Sequence, residues 1–134
     1  MRDLDVRRRL KQDLQRGLEN DAVILDELGV CQGVVRADVV LVNGSLHAFE
    51  IKSASDTLQR LSCQMIAYNR VFENVTIVTS GNHLAGALAA VPDWWGILEA
   101  TAIADGDVVL SEIRPAAKNS QVDPTCPSST PVAR

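Results

Sequence analysis

A stretch of alternating strand and helix signals, residues 34–79, constrains the fold of this chain more than any other feature. It begins with the valine-rich run Val34–Val42, and Ser45–Lys52 follows directly after the Asn43-Gly44 dipeptide. Two apolar runs separated by such a dipeptide predict an antiparallel hairpin. The first half of this stretch therefore favours a sheet.

The second half of the stretch supplies a helix and a further strand. Apolar residues at helical spacing extend to about Asn69, and Ser55 or Asp56 is placed to cap that helix. Val75–Thr79 is almost entirely β-branched, as expected for a strand buried on both faces. A strand, a crossover helix and another strand form a right-handed unit with parallel pairing. The sequence therefore predicts an α/β fold with a mixed sheet flanked by helices.

Two helices are expected before this stretch. Apolar residues recur at helical period from about Leu4 to Leu18. A second, short helix is predicted from Ala22 to Leu28, with its end at Gly29. Glu27 would lie in the last turn of that helix, where an exposed carboxylate is the simplest interpretation.

The remaining residues complete one predicted domain, residues 1–114. We expect a helix from Asn82 to Ala90, a strand after the Trp94-Trp95 pair, and a strand from Val108 to Ile113. The Pro- and Ser-rich residues 115–134 cannot bury much apolar surface and are predicted to form a disordered tail.

Composition limits the class of protein. With 134 residues, of which 46% are hydrophobic and 22% charged, the chain can bury a core without disulfides or metal ions. Its three cysteines, Cys31, Cys63 and Cys126, are widely spaced, which argues against a disulfide framework and a zinc site. No apolar run is long enough to span a membrane or to act as a signal peptide. These features predict a cytoplasmic protein.

Charge indicates which partners fit. The net charge of −4 disfavours a protein that coats nucleic acid by charge alone, but metal ions at a carboxylate site reverse the local potential. Basic residues cluster in the first predicted helix, at Arg2, Arg7, Arg8, Arg9, Lys11 and Arg16. This cluster could meet a phosphate backbone, although a solvated helix face is the more ordinary interpretation.

Charged residues also lie inside the predicted strands, where burial of an unpaired charge is costly. Asp38 lies in the first strand of the hairpin, and Glu50 and Lys52 lie two residues apart in the second. Residues two apart share one face of a strand, so Glu50 and Lys52 project together.

The hairpin loop decides whether Asp38 joins them. A two-residue loop would place Asp38 on the face opposite Glu50, whereas a loop of odd length restores a common face. We expect a three-residue loop of residues 42–44, with Gly44 in the left-handed region, which would pair Leu41 with Ser45.

Such an arrangement suits a metal ion. Two close carboxylates repel each other unless a cation lies between them, and a divalent ion with oxygen ligands meets that need. Lys52 would orient a water for attack on a phosphodiester. Gln64 and Tyr68 lie four residues apart on the predicted helix, so they share a face from which to support this chemistry.

Each of these residues also has a purely structural interpretation. Asp38 would pair with Arg36 or Lys52, and Glu50 and Lys52 would form an ion pair. Gln64 and Tyr68 would form a partly buried polar edge of a core helix. The two histidines, His47 and His83, are predicted to be surface or capping residues.

Asp38 followed by Glu50-Ile51-Lys52 resembles the motif of the PD-(D/E)XK nuclease superfamily, whose fold is restriction-endonuclease-like. The run from Gln64 to Tyr68 resembles the Q-x-x-x-Y helix motif of its RecB-like and lambda-exonuclease-like branches. The segment from Glu27 to Trp95, with Pro92-Asp93-Trp94-Trp95-Gly96, is more closely similar to a small bacterial family that is assigned to this superfamily.

The resemblance implies a function and a role for each residue. Asp38, Glu50 and Ile51 become metal-binding positions, Glu27 an accessory acid, and Lys52 the cation that orients water. Gln64 and Tyr68 become supporting catalytic residues. The implied activity is Mg²⁺-dependent hydrolysis of DNA, in repair or in defence against foreign DNA, with Mn²⁺ as a substitute ion.

Several alternatives stay open at this point. RNA is not excluded as the nucleic acid, and neither is a homodimer or a partner subunit. The main alternative is a catalytically inactive nuclease-like scaffold that binds nucleic acid or a protein partner, which the acidic net charge favours.

Overall fold

A six-stranded mixed sheet separates two helical layers in the computed structural model, which describes residues 2–18, 21–30 and 35–119. The helices are α1 (Asp3–Arg16), α2 (Leu61–Val71) and α3 (Gly81–Ala90). The strands are β1 (Val23–Val30), β2 (Val35–Val42), β3 (Leu46–Lys52), β4 (Asn74–Ser80), β5 (Gly96–Ala102) and β6 (Val108–Arg114). The predicted α/β class with a mixed sheet is confirmed. Its restriction-endonuclease-like character stays a prediction.

Strand order follows the chain from β1 to β6. The three central strands β3, β4 and β5 are parallel, and the outer pairs are antiparallel. The crossover helices α2 and α3 pack on one face of the sheet, around Tyr68 and Ala87. Helix α1 packs on the other face through Val6 and Leu10. Within the described ranges, no helix has the length and apolar character needed to cross a membrane.

The β2–β3 loop has the predicted odd length. It contains Asn43, Gly44 and Ser45, and Gly44 has a φ of +92°, which favours glycine because a Cβ atom is unfavourable there. The register pairs Val42 with Leu46, two residues from the predicted register. A shift of two preserves the faces, so Asp38 and Glu50 still point to the same side.

The short helix predicted from Ala22 to Leu28 is wrong, because this segment forms strand β1. Its residues pair with β2 from Val23 opposite Val42 to Val30 opposite Val35. The apolar run was short enough to suit either element, and pairing with a neighbouring strand decided between them. Glu27 consequently lies on a strand, with a φ of +53°.

The predicted cap of the crossover helix between β3 and β4 is also wrong. Helix α2 begins at Leu61, and residues 55–60 are not helical. Asp56 instead accepts hydrogen bonds from the Ser53 amide at 2.8 Å and the Ser53 hydroxyl at 2.9 Å. This local turn satisfies the carboxylate that the sequence assigned to the helix N-terminus.

Residues 115–119 pack against the domain. The Ala117 amide donates to the Trp94 carbonyl at 2.8 Å, and the buried Asn119 side chain donates to the carbonyls of Asn69 and Phe72 at the end of α2. The rest of the predicted tail, residues 120–134, lies outside the described residues, as do Cys31 and Cys126. Cys63 is an exposed free thiol.

We expect Gly96→Ala to lower the free energy of unfolding by about 1–3 kcal/mol, because it inserts a methyl group into a filled space. A Cβ atom there would lie 2.7 Å from the Thr76 hydroxyl and 2.8 Å from the Ala116 amide nitrogen. Gly17→Ala is the control, since its Cβ would have no neighbour within 4 Å. Equal urea midpoints for the two variants would contradict the close packing of Ala116.

Candidate functional site

A polar cavity of about 250 Å³ opens at the carboxyl end of the parallel strand β3. Ligands commonly bind at this end of strands in α/β sheets. The lining residues are Asp3, Arg36, Asp38, Glu50, Ile51, Lys52, Asp56, Arg60 and Gln64. Five of the predicted site residues therefore line one space, namely Asp38, Glu50, Ile51, Lys52 and Gln64.

Strand register explains how Asp38 reaches Glu50. The last β2–β3 pair is Val39 with Phe49, and Asp38 lies one residue beyond it, in line with Glu50. The Asp38 carboxylate reaches across to β3, where its Oδ2 accepts a hydrogen bond from the Ile51 amide at 2.8 Å. The odd-length loop thus produces the predicted juxtaposition.

Glu50 is buried and held by three side chains. Its Oε2 lies 3.2 Å from the Lys52 ammonium and accepts a hydrogen bond of 3.0 Å from the Gln64 amide. The Tyr68 hydroxyl donates to Oε1 in a short hydrogen bond. Burial and the adjacent Glu50 raise the pKa of Tyr68, which keeps this hydroxyl a donor. Tyr68 is fully buried in the core, and its hydroxyl positions Glu50.

The charged form of Asp38 is disfavoured in the folded protein. Burial and repulsion from Glu50 raise the pKa of Asp38 to about 7, although the Ile51 amide and Arg7 oppose that rise. A cation at this position would relieve the repulsion.

Gln64 leaves one polar atom without a partner. The residue is 8% exposed, and its Oε1 atom has no hydrogen bond with any described residue. A buried acceptor without a donor is unfavourable. This unsatisfied oxygen belongs to a residue that lines the cavity.

Arg7 of α1 contacts Asp38 and is not among the residues that line the cavity. Its Nη2 lies 3.4 Å from Asp38 Oδ1, 3.3 Å from Asp3 Oδ2 and 3.2 Å from Glu27 Oε1. Burial disfavours the guanidinium charge, but these carboxylates outweigh burial and raise the pKa of Arg7.

Two predicted metal-binding positions differ from the others. Glu27 pairs with Arg7, has a side chain that is 47% exposed and does not line the cavity. The Ile51 side chain is buried in the α1 layer, and its amide donates to Asp38. In the described part of the chain, no three His, Cys, Asp or Glu side chains are placed together to hold a metal ion.

The sequence did not identify several residues around this cavity. Arg36 and Arg60 are exposed cations in its lining, and Asp3 and Asp56 are additional acids. The four-residue spacing of Asp3 and Arg7 on a helix was the only signal for the Arg7 cluster. Contacts from α1 to β1 and β2 are not visible in a sequence.

Both histidines, predicted to be surface or capping residues, are half-buried. The His47 ring is hydrogen-bonded to the Thr76 hydroxyl at 2.7 Å and stacks on Phe49 at a centroid distance of 4.2 Å. The half-buried His83 ring lies 2.8 Å from the Asp56 carbonyl oxygen. It thereby ties the start of α3 to the loop beside the cavity.

A solved structure shares this fold. It is described as SPO1766, a protein of unknown function from Silicibacter pomeroyi, and the alignment covers 97% of this chain and 84% of that chain. The TM-score is 0.61 at 19% sequence identity, a likeness that shows the fold alone.

Sequence comparison identifies the family. Residues 6–126 match the family model of bacteriophage P4 protein cII. Protein cII of Enterobacteria phage P4 is 39% identical over 85 residues, which are 63% of this chain and 32% of that relative, so the chain spans about a third of its length. These matches contradict the prediction of a metal-dependent nuclease that hydrolyses DNA, and that prediction is wrong. The chain belongs to the family of bacteriophage P4 protein cII.

Proposed function

We propose that this domain binds the phosphate backbone of nucleic acid, with DNA as the partner, through a magnesium ion held at Asp38 and Glu50. The observation that carries the proposal is a pair of adjacent carboxylates, the buried Glu50 and the part-buried Asp38, beside the unpartnered Gln64 Oε1 at one polar cavity. The proposal concerns binding and includes no bond cleavage.

The chemistry of the lining fits a hard divalent ion. Asp38, Glu50 and Gln64 supply carboxylate and amide oxygens, which Mg²⁺ prefers, and the Ile51 main chain is adjacent. Mg²⁺ commonly takes one or two carboxylates and keeps several waters, so a third acidic ligand is not required. Mn²⁺ would substitute for it.

The exposed side chains fit a phosphate. Arg36 and Arg60 line the same cavity and are exposed, and guanidinium groups bind phosphate oxygens in two-pronged hydrogen bonds. A magnesium ion at the carboxylates would add positive charge between the acids and the phosphate. We also place the protein in the cytoplasm, where the exposed Cys63 thiol would stay reduced.

Fluorescence anisotropy with labelled DNA tests the proposal. At constant ionic strength, we expect affinity to fall at least about tenfold when EDTA replaces Mg²⁺, because the acids then repel the phosphate. Removing both arginines (Arg36→Ala with Arg60→Ala) should lower the slope of log affinity against log salt by about two.

A matched control separates the cavity from general charge. Lys118→Ala removes a side chain that is 76% exposed and does not line the cavity, so its affinity should match the wild-type value. DNA binding that is equal in EDTA and Mg²⁺ would refute the metal-dependent mechanism. RNA of the same sequence identifies the preferred nucleic acid.

A further inference from the structure

Arg7 is a cation already built into an acidic cluster. Besides the contacts to Asp3, Glu27 and Asp38, its Nη1 lies 3.7 Å from Asp26 Oδ1 and donates to the Asp38 carbonyl oxygen at 3.0 Å. Its side chain is 15% exposed, whereas the side chains of Asp3, Asp26 and Glu27 are 41–47% exposed. One guanidinium therefore contacts four carboxylates, of which Asp26 also pairs with Lys11 Nζ at 2.7 Å.

This cluster shares two carboxylates with the cavity, Asp3 and Asp38, and the proposed metal ligand is Asp38. Its Oδ2 is committed to the Ile51 amide, and its Oδ1 faces Arg7 Nη2 at 3.4 Å. A divalent ion that binds Asp38 must share this carboxylate with the guanidinium or displace it. Sharing brings two cations together at short range, whereas displacement breaks the Arg7–Asp38 ion pair.

We propose that Arg7 is an internal competitor of the divalent cation at Asp38 and sets the affinity of the site for that ion. The inference rests on the proposed function, in which Asp38 holds the ion. It adds a specificity-determining residue on α1 that does not itself line the cavity.

When a divalent ion takes Asp38, Arg7 can exchange Asp38 for its other acidic partners. Arg7 keeps Asp3, Asp26 and Glu27 within reach when it releases Asp38, so its charge stays compensated. The flanking residues Val6 and Leu10 are buried against the sheet, which holds the helix in place. The exchange therefore needs movement of the Arg7 side chain alone.

Binding of Mn²⁺, measured by the electron paramagnetic resonance signal of free Mn²⁺, tests this inference. At pH 8.5, where Asp38 is ionised, we expect Arg7→Gln to bind Mn²⁺ at least about tenfold more tightly than wild type. Arg7→Lys keeps the charge and should stay within about threefold of wild type. Arg9→Gln is the control, because Arg9 pairs with Asp13 on the same helix, and its affinity should not change.

A measurement on the wild-type protein does not depend on the folding of any variant. In ¹⁵N spectra of arginine side chains, the Arg7 signal should shift with Mg²⁺ and saturate with the binding curve, whereas the Arg9 signal should not. An unchanged Arg7 signal during saturable Mg²⁺ binding would overturn the exchange.

The outcomes separate this inference from the proposed function. Wild-type binding with equal or weaker binding by Arg7→Gln overturns the competition and leaves the proposed function standing. Binding by Arg7→Gln alone supports the competition and overturns the proposed function of the native chain. Absence of binding in both proteins overturns both.

Discussion

Replacing Glu50 with alanine should lower the free energy of unfolding by about 3–5 kcal/mol, because it leaves a buried charge without its partner. Lys52 is 7% exposed, and its ammonium lies 3.2 Å from Glu50 Oε2. The Gln64 amide and the Tyr68 hydroxyl lose their acceptor in the same substitution. Urea unfolding followed by circular dichroism measures the loss.

Two further variants test whether the unpaired Lys52 charge causes the loss of stability in Glu50→Ala. Asp13→Ala removes a partly exposed carboxylate that pairs with Arg9 and Arg16 on α1, and we expect a change of about 1 kcal/mol or less. Adding Lys52→Met to Glu50→Ala should recover part of the lost stability, since no buried charge is then left unpaired. A Glu50→Ala variant as stable as Asp13→Ala would show that Lys52 does not depend on Glu50.

The local geometry of the hairpin could be predicted from the sequence. Gly44 is suited to a positive φ, and an odd loop follows from requiring Asp38 and Glu50 on one face. The register itself shifted by two residues, because the loop includes Ser45 and not Val42. Periodicity decides which residues share a face and is less informative about which residues oppose each other.

Contacts between distant segments could not be predicted in this way. The predicted helix from Ala22 to Leu28 is followed by Gly29, a glycine typical of a helix end, and pairing with β2 made this segment a strand. In the sequence, Arg7 belongs to a basic cluster that is typical of a solvated helix face. In the structure it contacts Asp38, 31 residues away. Such contacts depend on the packing of α1 across the sheet.

The predicted function failed for a different reason. Asp38, Glu50, Lys52 and Gln64 do line one cavity, because their shared faces follow from strand and helix spacing, but their assigned catalytic and metal-binding roles stay predictions. A short motif reports local geometry, however, and one geometry can serve different functions. The match to protein cII over residues 6–126 covers nearly the whole chain and therefore carries more weight than the motif.

The acid stability of this domain should depend on His47. Burial lowers the pKa of His47 from 6.5 to about 4, so the folded protein resists a proton that the unfolded chain accepts. Between these two pH values, unfolding is coupled to proton uptake. The stability that neutral His47 provides is intact above about pH 6.5 and is lost as the pH falls toward 4, by up to about 3 kcal/mol.

Titration of Asp38 has the opposite effect on stability over an overlapping pH range. Its pKa rises from 3.8 to about 7 on folding, so the folded state holds the proton more tightly than the unfolded chain. The associated stability is present below about pH 4 and is lost as the pH rises through 7. The two residues therefore partly cancel in the wild-type protein, and its stability should change little between pH 4.5 and 6.5.

Substitution of His47 should expose this cancellation. His47→Gln keeps a polar group near the Thr76 hydroxyl but does not titrate, so its free energy of unfolding should fall as the pH rises from 4.5 to 7. Asp38→Asn should show the reverse slope, with stability rising over the same range. Urea unfolding at half-unit pH steps, in EDTA, measures both slopes. Parallel profiles for wild type and His47→Gln would mean that His47 titrates near 6.5 in the folded protein, and the stacked, hydrogen-bonded ring would then be open to solvent protons.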